Sequence, residues 1–189
     1  LLDEIDIQRF IISNYPLYGV HSTRIHELFS PEEVKLLRES LAQPTDTTFY
    51  TIGYEGKSIE EFIKELIVQD IKVLCDVRKS PFSIKFGFSQ EELSTYLKHA
   101  DINYVHLPHL GMETHFQSMG KSTGRTFFSE HTTQGEMMKE DINNLLMLLR
   151  KNRRVAITCF DRDPDLCQRT PVAFQVQKSA PAPIPIINL

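Results

Sequence analysis

The sequence predicts an α/β fold: a mostly parallel sheet with helices on both faces, in a Rossmann-like three-layer arrangement, preceded by a helical N-terminal extension. Two observations carry this. From residue 49 onward, segments with strand character alternate with segments of helical periodicity, which implies parallel βαβ units with right-handed crossovers. The strand segments are also almost wholly apolar, as strands covered on both faces must be.

The elements follow in order. "LDEIDIQRFIIS" places Leu2, Ile5, Phe10 and Ile11 at roughly helical spacing. "SPEEVKLLRESLA" reads as a helix with Ser30 as N-cap, Pro31 at its first position and Glu32 and Glu33 at the positive end of its dipole, stopped by or just before Pro44. "FYTIG" is a strand and 58–69 a helix opened by the capping box Ser58-x-x-Glu61. "IKVLCDV" is a strand. "SQEELSTYLKHA" is a helix with a second box, Ser89-x-x-Glu92, and "INYVHL" is the next strand. Residues 136–151 form a helix with Met137, Ile142, Leu145, Leu146 and Leu149 on one side; "RVAITCF" is a strand, followed by a helix over 164–177. The Gly/Ser/Thr-rich stretch 111–135 reads as a long connection, expected as a mobile flap. Prolines 181, 183 and 185 keep the end of the chain extended. The expected organisation is a helical extension at residues 1–46, an α/β domain at residues 47–178 and an extended proline-rich tail at residues 179–189.

Composition narrows the function classes. A net charge of −4 counts against broad nucleic-acid binding, and the first 44 residues are themselves acidic on balance. There is no run of eighteen apolar residues to cross a membrane. Three cysteines, an odd number, suit reduced thiols and a cytoplasmic setting.

"FYTIGYEGKSIEE" raises the question of a phosphate-binding P-loop. The spacing excludes it: the position that requires the first glycine is Thr51, and for a second Gly-Lys-Ser at residues 120–122 it is His115. Asp161-x-Asp163-x-Asp165 starts like a calcium loop but has Leu166 where glycine and Val172 where an acid is required. His106, His109 and His115 suggest metal ligands, yet histidines near loops are more often ordinary polar residues, so no metal is expected.

In open parallel sheets, ligands bind at the carboxyl ends of the strands. There the sequence places Gly53 and Tyr54; Asp76, Arg78 and Pro81; His106 and His109; and Cys159, Asp161 and Asp163, with Cys167 and Arg169 beyond. Asp76 and Arg78 are either a structural ion pair or site residues. Cys75 should face the opposite side as a buried, inert thiol. In "CFDRDPDLCQR", Asp163 caps and Pro164 opens the next helix, which puts Cys167 in its first turn, where helix N–H groups and Arg169 favour a thiolate and the aspartates oppose it. The expected site has Asp76 and Cys167 in catalytic roles and Tyr54, Arg78, His106, Cys159 and Arg169 around a small anionic, nucleotide-like ligand. A non-catalytic regulatory module and a nucleic-acid-associated factor are the competing readings. No cofactor and no oligomeric state can be read from the sequence.

"YTIGYEGKSIEEF", "VLCDVRKSPFS", "FGFS", "INYVHLPHLGM" and "VAITCFDRDPDLCQR" resemble, in order, the motifs of the bacterial and archaeal domain-of-unknown-function family numbered 488, over roughly residues 49 to 175. The resemblance implies an α/β domain and brings no established activity. It implies motif positions at Gly53, Tyr54, Asp76, Arg78, Pro81, Gly87, Leu107, Gly111, Cys159, Cys167 and Arg169. Gln168 stands where the family usually has histidine, so no proton carrier is available at that position. "CDVR" also resembles the Asp-Val-Arg strand of rhodanese-like sulfurtransferases, but the loop after Cys159 is longer and acidic, which counts against a persulfide carrier.

Overall fold

The structure, a computed structural model, describes residues 4–14, 19–41, 46–111 and 133–189. Five strands form one sheet: β1 (Thr48–Gly53), β2 (Val73–Asp76), β3 (Asn103–His106), β4 (Arg154–Cys159) and β5 (Ile186–Asn188), in the order β3-β2-β4-β1-β5. Every pairing is parallel. The helices are α1 (Glu4–Asn14), α2 (Ile25–Leu28), α3 (Pro31–Ser40), α4 (Ile59–Val68), α5 (Gln90–His99), α6 (Thr133–Asn152) and α7 (Arg169–Ser179).

The crossovers from β1 to β2 and from β2 to β3 run in one direction across the sheet, and those from β3 to β4 and from β4 to β5 run back. With one hand of crossover, the two directions must lay their helices on opposite faces. They do. Tyr50, Ile52, Leu74 and Ala156 pack with α4 and α5 through Ile59, Phe62, Leu66, Leu93 and Leu97. Their alternate neighbours Phe49, Val73, Cys75, Val155 and Ile157 pack with α6 and α7 through Ile142, Leu145, Leu149, Val172 and Val176. The result is a three-layer α/β domain, and burial on both faces is why the strands are apolar throughout.

The proline-rich end completes the sheet. Phe49 N–H donates to Pro185 O and Leu189 N–H to Thr51 O, both at 2.9 Å, so residues 186–188 lie as an edge strand on β1. An edge is where prolines just before a strand are tolerated. The N-terminal helices gather their own apolar cluster, Ile12, Val20, Ile25, Leu28, Phe29 and Val34. No helix among the described residues is long and apolar enough to cross a membrane.

Several local expectations change. On α1, Ile5, Phe10 and Ile11 are exposed and Ile12 is the buried residue; Leu2 lies outside the described residues, as does Pro44. On α6, Met138 is buried and Met137 is exposed. Ser89 does not cap α5 with its side chain. Its Oγ instead accepts from Ser83 N–H at 3.1 Å and donates to Ser83 O at 2.9 Å, fixing the loop before the helix. Residues 112–132, the body of the expected flap, lie outside the described residues, and Thr133 already belongs to α6.

The helix expected over 164–177 is broken. A single 3-10 turn, Pro164–Leu166, is capped by Asp163, whose side chain accepts from Asp165 N–H at 3.0 Å. Cys167 is extended (φ −138°, ψ −179°), and α7 starts afresh at Arg169. Pro171 supplies the reason. In a helix begun at Pro164 it would sit in the interior, where it lacks a donor and its ring strikes the preceding turn. A start at Arg169 moves it into the first turn, where no intrahelical donor is needed.

At Ser58 the capping box forms as expected: Ser58 Oγ accepts from Glu61 N–H at 3.2 Å, and the Glu61 carboxylate accepts from Ser58 N–H at 2.8 Å. Lys57 turns away to pair with Glu65. Ser58→Ala is therefore expected to cost about 1 kcal/mol in urea denaturation; unchanged stability would remove the capping account.

Candidate functional site

The carboxyl edge of the sheet carries two hydrogen-bonded clusters. The first forms on the α4/α5 side, because Asp76 and Arg78 follow Leu74 in the strand's alternation. Asp76 is fully buried and Arg78 nearly so. Arg78 Nε donates to Asp76 Oδ1 at 2.9 Å and Oδ2 at 3.0 Å, and Nη2 donates to Oδ2 at 2.6 Å. Asp76 Oδ1 also accepts from Arg78 N–H at 3.0 Å, and Oδ2 accepts from the Tyr104 hydroxyl at 2.8 Å. Arg78 Nη1 donates to the Tyr54 hydroxyl at 2.8 Å. The Tyr54 ring stacks on Phe88, with centroids 4.4 Å apart. His106 Nε2 lies 2.9 Å from Arg78 O.

Burial works against the Arg78 charge, but the hydrogen bonds and negative charge of Asp76 raise its pKa overall. Burial first, then Asp76, pushes the Tyr104 phenol up, so Tyr104 remains a donor. Asp76 thus has its acceptor positions filled, and every guanidinium nitrogen of Arg78 has a partner, Nη2 donating also to Pro81 O at 3.2 Å. This cluster orders the end of β2.

The second cluster forms on the α6/α7 side, where Cys159 follows Ile157. The Cys159 and Cys167 sulfurs are 2.7 Å apart, and Arg169 Nε donates to Cys167 Sγ at 3.1 Å. Arg169 Nη2 donates to the Asp161 carbonyl and, at 3.1 Å, to Arg162 O. Arg169 is 0% exposed, and its Nη1 has no hydrogen-bond partner among the described residues. The close approach of the 161 loop requires glycine at 53: a Cβ there would lie 1.9 Å from Asp161 O.

The two thiols diverge electrostatically. Burial, then the hydrogen bond to Cys167, pushes Cys159 up, so Cys159 keeps its proton. The hydrogen bond from Cys159, together with the charge and hydrogen bond of Arg169, lowers Cys167 to about 7 against the opposing effect of its burial. Burial, reinforced by Glu55 and Asp163, also pushes the Asp161 carboxyl up against the opposing effect of a backbone hydrogen bond and Arg169. Cys75 faces the α6/α7 core, and burial, then Asp76 and Asp141, pushes its thiol well up, as suits a packing residue.

Cys159, Asp161 and Cys167 place three metal-type donor atoms within 4.8 Å of one another. The set suits a metal poorly. It offers three donors where a structural zinc takes four, and the Arg169 guanidinium lies against the Cys167 sulfur that would bind the cation. The histidines part company: His106 turns to Arg78 O, while His109 Nδ1 lies 3.1 Å from Asp141 Oδ2, and His115 lies outside the described residues.

The sequence-predicted residues thus share one edge but divide into Tyr54, Asp76, Arg78 and His106 on one face and Cys159, Cys167 and Arg169 on the other. Gln168 bridges them, its Nε2 donating to Val77 O at 2.9 Å between Asp76 and Arg78. Tyr104, Asp141 and the Asp161 carbonyl were not anticipated. Tyr104 was legible only in that it precedes His106 by two in β3 and so shares its face. A cleft of about 550 Å³ runs from the loop after β1 (Glu55, Gly56, Lys57) and Arg162 along α4 (Glu61, Lys64, Glu65, Val68) to Leu189, and neither the thiols nor Arg169 line it. Glu55 Oε2 accepts from Arg162 N–H at 3.0 Å, which ties the cleft's two walls together.

No curated protein and no solved structure matches the chain. The model of one family, the domain of unknown function DUF488, matches residues 58–174, starting just after Gly53 and Tyr54, and the chain belongs to that family.

Proposed function

We propose that the protein binds a small anionic, nucleotide-sized ligand at the carboxyl edge of its sheet, as a Rossmann-like arrangement favours, and acts on it through the Cys167 thiolate. The observation that carries this reading is Arg169: a fully buried guanidinium with one nitrogen unpartnered among the described residues and another against Cys167. A buried unpaired donor is costly, and an anion would satisfy it. In this reading Arg169 holds the anion, Cys167 is the nucleophile and Cys159 supports it by donating its S–H. Tyr54, Asp76, Arg78 and His106 hold the end of β2 in place instead of touching the ligand. The reduced thiols fit a cytoplasmic setting.

The saturated Asp76–Arg78 cluster favours a second reading, a regulatory module that binds the same anion without turnover. Two measurements test the proposal. Alkylation of Cys167 by iodoacetamide, followed by mass spectrometry, is expected to rise with pH through a midpoint at about 7, while Cys75 stays unmodified. In thermal-shift assays, inorganic phosphate or nucleoside phosphates should raise the Tm, and Arg169→Lys should abolish that rise with a smaller loss of intrinsic stability, because lysine keeps the charge but lacks the planar fork. Equal loss of both would leave only a structural cluster. Binding with no alkylation at neutral pH would leave the regulatory module.

A further inference from the structure

We propose that Cys159 and Cys167 are a redox couple, in which hydrogen peroxide converts Cys167 to a sulfenic acid and Cys159 resolves it as an intrachain disulfide that a thiol reductant reopens. The proposal rests on the Cys167 thiolate of the preceding reading but not on its ligand.

The placement of the two sulfurs carries it. They lie 2.7 Å apart, so a bond of about 2.05 Å needs an approach of only a fraction of an ångström. Cys159 ends β4, and Cys167 stands in the extended break before α7, outside any helix that closure would have to unwind. The pair is divided into roles: Cys159 holds its proton, and Cys167 is the thiolate beside Arg169. Cys75 takes no part, because it faces the apolar core behind β2.

The steps balance. The Cys167 thiolate attacks one peroxide oxygen, the O–O bond breaks, and the departing hydroxide takes a solvent proton to become water. Cys167 is now a sulfenic acid. Cys159 then attacks the Cys167 sulfur, the S–O bond breaks, and the leaving hydroxide takes the Cys159 proton as a second water. Two thiols have been oxidised by two electrons, and one peroxide has been reduced to two waters. Two equivalents of a thiol such as glutathione reverse the change and leave as glutathione disulfide. Closure removes the negative sulfur from Arg169 Nε, so the oxidised form has no nucleophile and one more unpaired guanidinium N–H.

The experiment uses the reduced full chain treated with hydrogen peroxide. Accessible thiols in denaturant should fall from three to one. The intact mass should drop by about 2 Da, as expected for loss of two hydrogens, and dithiothreitol should restore both readings. Tryptic mapping should join the peptides that contain Cys159 and Cys167, which Arg162 separates. Cys159→Ser should instead accumulate a sulfenic acid at Cys167 that dimedone traps, and Cys75→Ser should behave as the unmodified chain. Retention of three thiols, a linkage through Cys75, or an intermolecular disulfide would overturn the proposal; the mapping on the unaltered chain decides this even if a variant fails to fold. Oxidation without any anion-induced Tm shift ends the ligand reading alone, and an Arg169-dependent shift without the disulfide ends this one alone.

Discussion

Asp76→Ala is expected to destabilise the fold by about 3–5 kcal/mol, the range for removing one partner of a buried ion pair. Asp76 is fully buried and accepts from Arg78 through its backbone N–H and two of its guanidinium nitrogens, and from the Tyr104 hydroxyl. Alanine would leave the Arg78 charge beneath the surface with only Tyr54 and a backbone carbonyl as acceptors. Asp76→Asn should fall between alanine and the original chain, since it keeps the shape and loses the charge. The comparison is Glu27→Ala, which breaks the exposed Arg24–Glu27 pair at 3.0 Å and should cost under about 1 kcal/mol. Urea denaturation monitored by circular dichroism measures all three. An Asp76→Ala loss no larger than that of Glu27→Ala would mean that the cluster is open to water and does not fix the end of β2.

Much of the scaffold was legible because it rests on local rules. Ser30 and Ser58 sit before helical periodicity with glutamate three residues on, and both form capping boxes. Apolar strands alternating with helices implied the parallel sheet, and strand direction alone put Asp76, His106 and Cys159 on one edge. What escaped depends on contacts between distant segments or on competition between local rules. Ser89 has the same capping pattern as Ser58, yet its hydroxyl is taken by Ser83, a partner set by the loop after Arg78. Pro164 advertised a helix start, and only Pro171 argued against it. Its effect is chemically decisive, because the break at Cys167 turns that sulfur to Cys159 and not along a helix. That Asp76 and Cys159 leave the sheet on opposite faces follows from the register, which pairs Asp76 with Thr158, and strands apolar on both faces carry no sequence sign of it. The 2.7 Å approach of the two sulfurs had no sequence signal beyond their presence.

Gly53→Ala is expected to cost on the order of 3 kcal/mol, at the upper end for overpacking. Its new methyl group would stand 1.9 Å from Asp161 O and 2.7 Å from Asp161 C, and both are backbone atoms that cannot rotate away. The 161–162 segment must therefore move as a unit. It supplies the carbonyls that receive Arg169 Nη2, and Nη2 itself would lie 3.0 Å from the added carbon. Displacing Arg169 withdraws the cation from Cys167, so the same substitution should move the midpoint of Cys167 alkylation above about 7. Gly56→Ala separates this steric effect from backbone conformation. Gly56 has φ of +77° with open space around its Cβ position, so alanine there should cost about 1–2 kcal/mol, from the left-handed backbone alone, and leave the alkylation profile unchanged. A Gly53→Ala chain with the same profile as Gly56→Ala would show that the 161 loop does not hold Arg169 against the thiolate, and the anion and redox chemistry assigned to that edge would then need another source of activation for Cys167.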